Sequence, residues 1–263
     1  MLPILYKCPF FTVYTYGVFV ALAFLASSFL LMKEARQKKL NENTIYELCI
    51  FLLISGIISA RLFYVFLNWG EFKANLIEIV MLQHGGLVWF GGLIGAVVCG
   101  IVFIRSKKMP FFSTLDLFAP YVILGQAIGR IGCFFNGCCY GGESKWGIYF
   151  PVHHATLFPA QLLDCLTLII VFIVLRSMRA RRAGVVFSYY LILASLQRFL
   201  MEYARNDPRP FYFNLSIFQW ISIGLFFCGA VLYLILLPRG PKPLGHSALN
   251  EHRVGSICRK KTA

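Results

Sequence analysis

Long uninterrupted apolar runs, rather than alternation or a narrow amphipathic stripe, set the pattern of this chain. Seven of them, near residues 11–32, 47–68, 86–104, 113–136, 160–178, 184–204 and 216–237, are each long enough to cross about 30 Å of hydrocarbon as a helix. A helix that is apolar on every side must face lipid or other helices. The pattern therefore predicts an all-α, polytopic membrane protein with about seven transmembrane helices. The first run follows Lys7 and contains ALAFLASS, features shared with a signal peptide. It is too long for the apolar region of such a peptide, and its basic cluster follows it, so it reads as an uncleaved helix. Residues 1–240 form one transmembrane domain on this reading. Residues 241–263 are polar and without periodicity, and read as a basic, disordered cytoplasmic tail.

Composition agrees, with 59% hydrophobic and only 14% charged residues. The net charge of +14 would by itself suit a nucleic-acid partner. Its distribution excludes one. Seventeen of the 25 basic residues fall on alternate connections, in KEARQKK, RSKK, RSMRARR and the tail after residue 237. Five others (Lys7, Lys73, Lys145, Arg205 and Arg209) are spread over the opposite side. By the positive-inside rule the N-terminus lies outside and the C-terminus inside, with anionic membrane lipid as a partner of the basic loops.

The remaining three basic residues, Arg61, Arg130 and Arg198, lie inside the second, fourth and sixth apolar runs. All sit at one expected depth, about 8–10 Å below the outer edge at about 1.5 Å rise per residue. An arginine in hydrocarbon costs roughly 2.5–3.5 kcal/mol and normally faces the bundle interior or a wet cavity. Snorkelling and structural pairing, with Arg198 bonding Glu202 one turn on, form one account. A cationic pocket for a lipid phosphate is the other, and the shared depth favours it. Gly91, Gly95 and Cys99, and likewise Gly125 and Gly129, recur at spacing four and allow close helix approach. In GRIGCFFNGCCYG the glycines suit a helix that ends in a tight turn, which Asn136 either caps or extends toward a ligand. Cys133, Cys138 and Cys139 gather near the same end, with His153 and His154 in the next loop. A disulfide from Cys133 to one of the pair, or zinc ligation, are both open, although no repeated Cys-x-x-Cys spacing supports the metal.

At GRIGCFFNGCCYG the chain resembles the phosphatidylglycerol:prolipoprotein diacylglyceryl transferase family, whose signature begins Gly-Arg-(Leu/Ile)-Gly and runs through Asn-Gly to a final glycine. TYGVF, ARLFYVF, GGLVWFGGLIG, PAQLLD, RFLMEYARND and LSIFQW follow the family's order, so the likeness extends from about residue 12 to 237. The resemblance implies transfer of a diacylglyceryl group from phosphatidylglycerol to the lipobox cysteine of a prolipoprotein signal peptide. It implies release of glycerol 1-phosphate, no cofactor and no metal, and an active site toward the outer leaflet of the bacterial inner membrane. Carried over by position, Arg130 and Arg198 are the catalytic arginines. Tyr16, Arg61, Asn136, Gly141 and Glu202, with Arg130, are expected to bind substrate.

The chain also departs from the family pattern. Where the family carries a histidine before the second Gly-Gly, this chain has Phe90, and His84 lies six residues upstream. Cys133 and Cys138 replace an asparagine and an acidic residue of the signature, Phe158 replaces a histidine before Pro159, and Ala194 replaces a tyrosine. Phe90 cannot accept a proton, and three cationic arginines would favour a pre-formed thiolate in its place. The departures mark a Cys-Cys-Tyr-Gly branch. They leave open a paralogue acting on another acceptor or lipid, and a non-enzymatic lipid or thiol-metal membrane protein.

Overall fold

The computed structural model describes residues 2–7, 12–38, 40–73, 75–81, 85–178, 182–206 and 211–237. Seven helices in it are long and apolar enough to cross a membrane: α1 (Thr15–Gln37), α2 (Glu42–Leu67), α4 (Trp89–Ser106), α5 (Phe111–Asn136), α6 (Ala160–Ser177), α7 (Val185–Ala204) and α8 (Ile217–Leu236). They match the seven predicted runs. A single-turn helix α3 (Trp69–Phe72) and a 3-10 turn (Leu76–Ile79) bridge α2 to α4. Three short antiparallel hairpins decorate the connections: β1 (Ile4–Lys7) with β2 (Thr12–Tyr14), β3 (Glu143–Phe150) with β4 (Ala155–Leu157), and β5 (Phe211–Tyr212) with β6 (Leu215–Ser216). His84 and residues 241–263 lie outside the described residues.

The helices associate pairwise: α2 on α4, α7 on α8, and α5 against both α1 and α6. Lipid is as apolar as leucine, so small residues and polar groups must supply the affinity between helices. A Cβ on Gly95 would fall 1.9 Å from Ser59 Oγ, and one on Gly91 would fall 2.3 Å from Phe63 Cβ, so α4 touches α2 backbone to side chain. Against α1 the expected pair is half right. Gly125 packs on Ser27, but Gly129 faces open space and Gly132 makes the second approach, to Phe19.

Polar groups act at the ends bearing the basic loops. Lys107, the residue after α4, pairs with Glu47 on α2 at 2.7 Å, and Arg182 Nη1 donates to Leu236 O at 3.2 Å. Both Asp116 oxygens accept backbone N–H groups at the start of α7, from Gly184 at 2.6 Å and Phe187 at 2.7 Å. A carboxylate at a helix N-terminus satisfies orphan donors and suits the helix dipole. Here it is supplied by another helix.

Candidate functional site

At the opposite end, three helices stop six residues beyond an arginine: Arg61 before Leu67, Arg130 before Asn136 and Arg198 before Ala204. The three side chains thus share one distance from a helix end, as expected from the sequence. Their partners differ. Arg61 is buried and makes five hydrogen bonds, as many as a guanidinium has N–H groups. Nε donates to Ile79 O at 2.9 Å. Nη1 donates to Gly85 O and Gly86 O, and Nη2 to Glu78 O at 2.5 Å and Met81 O at 3.2 Å. Phe72 and Tyr64 flank the cation at 5.2 and 5.7 Å. The α2–α4 connection wraps this one cation, because irregular backbone at that depth has no water to satisfy its carbonyls. Arg61, expected from the resemblance to bind substrate, has its five N–H groups on backbone carbonyls of the α2–α4 connection.

Arg130 and Arg198 are anchored by carboxylates. Arg130 Nε lies 2.8 Å from Asp164 Oδ2 on α6, and the other oxygen of Asp164 accepts Gln197 Nε2 at 2.6 Å. Gln197 precedes Arg198, so one buried carboxylate ties α5, α6 and α7 together at this level. Arg198 Nη2 lies 3.0 Å from Glu202 Oε2, the pairing expected from spacing four, and Ser216 Oγ donates to Glu202 Oε1 at 2.5 Å. Ser216 and Gln219 form a capping box at the start of α8. Glu202 therefore orients Arg198 and locks α7 to α8. The Arg198 guanidinium rests 4.9 Å from the Phe218 ring, and Phe90 stacks on the same ring at 6.2 Å. Phe90 and Arg198 thus share the Phe218 ring, with an apolar side chain at the position where the family carries a histidine. Arg198 Nη1 is buried and has no hydrogen-bond partner among the described residues. Such a donor is costly unless a ligand takes it.

The signature segment itself ends α5. Gly137 adopts φ 77°, with its N–H on Phe134 O at 3.2 Å and Cys138 N–H on Cys133 O at 3.2 Å. This is a Schellman turn, which needs a left-handed residue and folds the chain back over the last helical turn. Asn136 is the last helical residue, on the helix side of the cap. The turn brings Cys133, Cys138 and Cys139 together, with sulfurs within 4.8 Å of one another. The Cys138 thiol donates to Cys133 O at 3.7 Å. Gln161, three residues before Asp164, donates to Cys138 O at 2.6 Å. Tyr16, at the start of α1, lies beside Gly132 and within electrostatic reach of Arg130 and all three cysteines. Gly141 bonds Phe158 O at 2.9 Å, and a Cβ there would meet Ala204 O at 2.6 Å. Its place is set by packing against the end of α7.

Asp164, Gln161, Gln197 and Ser216 were absent from the sequence-based set of site residues. PAQLLD carried the only trace of the first two, an Asp and a Gln at spacing three inside an apolar run. Such a pair in hydrocarbon needs partners.

Fold and site together define a multi-pass membrane protein with carboxylate-anchored guanidiniums and a thiol cluster at one end of its helices. The family model for prolipoprotein diacylglyceryl transferase matches residues 3–235. A phosphatidylglycerol–prolipoprotein diacylglyceryl transferase of Clostridium tetani is 32% identical over 89% of this chain and 98% of its own length. One from Listeria monocytogenes serotype 4a is 36% identical over 94% of this chain and 92% of its own. The chain belongs to the prolipoprotein diacylglyceryl transferase family.

Proposed function

We propose that this protein transfers the diacylglyceryl group of phosphatidylglycerol to the lipobox cysteine of prolipoproteins, at the outer leaflet of the bacterial inner membrane. The acceptor thiolate attacks the glyceryl C3 carbon. A sulfur–carbon bond forms as the carbon–oxygen bond to phosphate breaks, and glycerol 1-phosphate leaves with the electron pair. Arg130 and Arg198 bind the phosphate and stabilise charge on the departing oxygen. Asp164 and Glu202 position them, so each guanidinium turns its remaining donors to the ligand. The observation that carries this reading is the buried Arg198 Nη1, a charged donor at helix-end depth without a partner among the described residues. Tyr16 and Asn136, which the resemblance assigns to substrate binding, are proposed to complete the site. The basic loops at the far end support an inward C-terminus by the positive-inside rule.

Complementation of a transferase-depleted strain tests this directly, read by mass spectrometry of a model lipoprotein. Diacylglyceryl on the lipobox cysteine is the expected result. Unmodified prolipoprotein in cells that carry the folded protein in their membrane would overturn it.

A further inference from the structure

Beside the arginine pair, the densest set of metal-ligating atoms among the described residues is the cluster of Cys133, Cys138 and Cys139. Two backbone devices assemble it. The Schellman turn sets Cys138 over Cys133, where such turns usually place an apolar contact. Cys139 then takes φ 64°, a left-handed conformation that costs a non-glycine residue about 1–3 kcal/mol. Tetrahedral zinc with bonds of about 2.3 Å holds its sulfurs about 3.8 Å apart, so the observed spacing closes by side-chain rotation alone. Thiolates of this kind select zinc or copper(I) over harder cations. His153 is not the fourth donor. The group of ligand atoms within 4.8 Å of one another holds the three sulfurs and not His153, whose Nε2 donates to Gly137 O at 2.8 Å. Three protein ligands with one position open is the ligand count of catalytic zinc.

We propose that Cys133, Cys138 and Cys139 bind one Zn²⁺ whose fourth position takes the thiol of the acceptor cysteine. The proposal rests on the transferase reading above. Helix α6 brings the two halves of the reaction together. Gln161 holds the carbonyl of Cys138 at 2.6 Å while Asp164, three residues on, holds Arg130 at 2.8 Å. Tyr16 packs over Gly132, between Arg130 and Cys133 on α5. The attacking sulfur and the phosphate therefore meet on one wall. A base is needed where Phe90 offers none, and Arg61 spends its charge on the loop carbonyls. The acceptor thiol displaces water from zinc and gives its proton to solvent. The zinc-bound thiolate attacks glyceryl C3, forming S–C as C–O breaks. Glycerol 1-phosphate leaves with the electron pair and takes a proton from solvent. The thioether product, a weak ligand, is replaced by water, and zinc keeps its oxidation state throughout.

The test uses the full chain in phosphatidylglycerol nanodiscs. Elemental analysis is expected to find about one zinc per chain. Cobalt(II) in its place should give visible bands of a tetrahedral thiolate site. These should shift when a lipobox peptide is added and stay unmoved with the peptide's cysteine changed to serine. Cys133→Ser and Cys139→Ser should lose the metal while Cys228→Ser, exposed on α8, keeps it. If the serine variants do not fold, the metal content and cobalt spectrum of the unaltered chain decide. Chelation should slow transfer at pH 7 about 30-fold, since a free thiol of pKa about 8.5 is only a few per cent ionised there. Absence of zinc, copper(I) in its place, a disulfide at Cys133, or a cobalt spectrum indifferent to peptide overturns the proposal. Full transfer by metal-free protein overturns it too and leaves the transferase reading intact. Zinc and peptide binding without any diacylglyceryl transfer supports the site and removes that reading instead.

Discussion

Replacing Asp164 with asparagine isolates what this carboxylate contributes. It is 2% exposed; one oxygen is ion-paired with Arg130 Nε at 2.8 Å and the other accepts Gln197 Nε2 at 2.6 Å. Asparagine has the same shape but one acceptor oxygen, so its amide must face one of those N–H groups. A buried hydrogen bond to a charged group contributes about 1.5–3 kcal/mol. Losing a counter-charge adds to that, tempered here because the Arg130 side chain is 23% exposed. At about 1.4 kcal/mol per factor of ten, transfer should fall about 10- to 100-fold. An untethered guanidinium fails mainly where charge develops, so kcat should fall more than KM for phosphatidylglycerol rises. The assay is mass-resolved lipidation of a lipobox peptide by purified variants in nanodiscs. Transfer within twofold of the unaltered chain would refute the reasoning. So would simple additivity of Asp164→Asn with Arg130→Lys, because residues acting through one contact must couple.

Arg130→Lys and Arg198→Lys should each lose about 100- to 1,000-fold in transfer, because lysine keeps the charge without the planar fork; full activity in both would leave these arginines a purely structural role. Arg61→Lys has fewer donors than the five carbonyls around it, so thermal unfolding and proteolysis near residues 69–81 should change more than KM does. Gly141→Ala puts a methyl group 2.6 Å from Ala204 O and should lower stability by about 1–3 kcal/mol, read as a drop in Tm in detergent. Reporter fusions at residues 106–108 and 178 should report the cytoplasm, and removal of residues 241–263 should leave transfer unchanged.

Hydropathy is a local property of the chain, which is why the seven spans and the three deep arginines could be read from sequence. Each span is decided by its own residues against about 30 Å of hydrocarbon. The arginine depth follows from counting residues to the helix end, and the turn at Gly137 from the glycine that a left-handed cap requires. The resemblance, too, rests on motifs in linear order. Partnership is a different matter. That Arg130 meets Asp164, that Asp164 also holds Gln197, and that Arg61 turns to five carbonyls depend on how each helix is rotated about its axis. An all-round apolar helix carries no stripe to fix that rotation. The same holds for glycines. Gly129 and Gly132 are both small residues on α5, yet only Gly132 approaches α1, because the crossing point is chosen by the fit of two helices together. Three cysteines in seven residues were visible as letters. Only the folded turn, with Cys139 held at positive φ, made them one site.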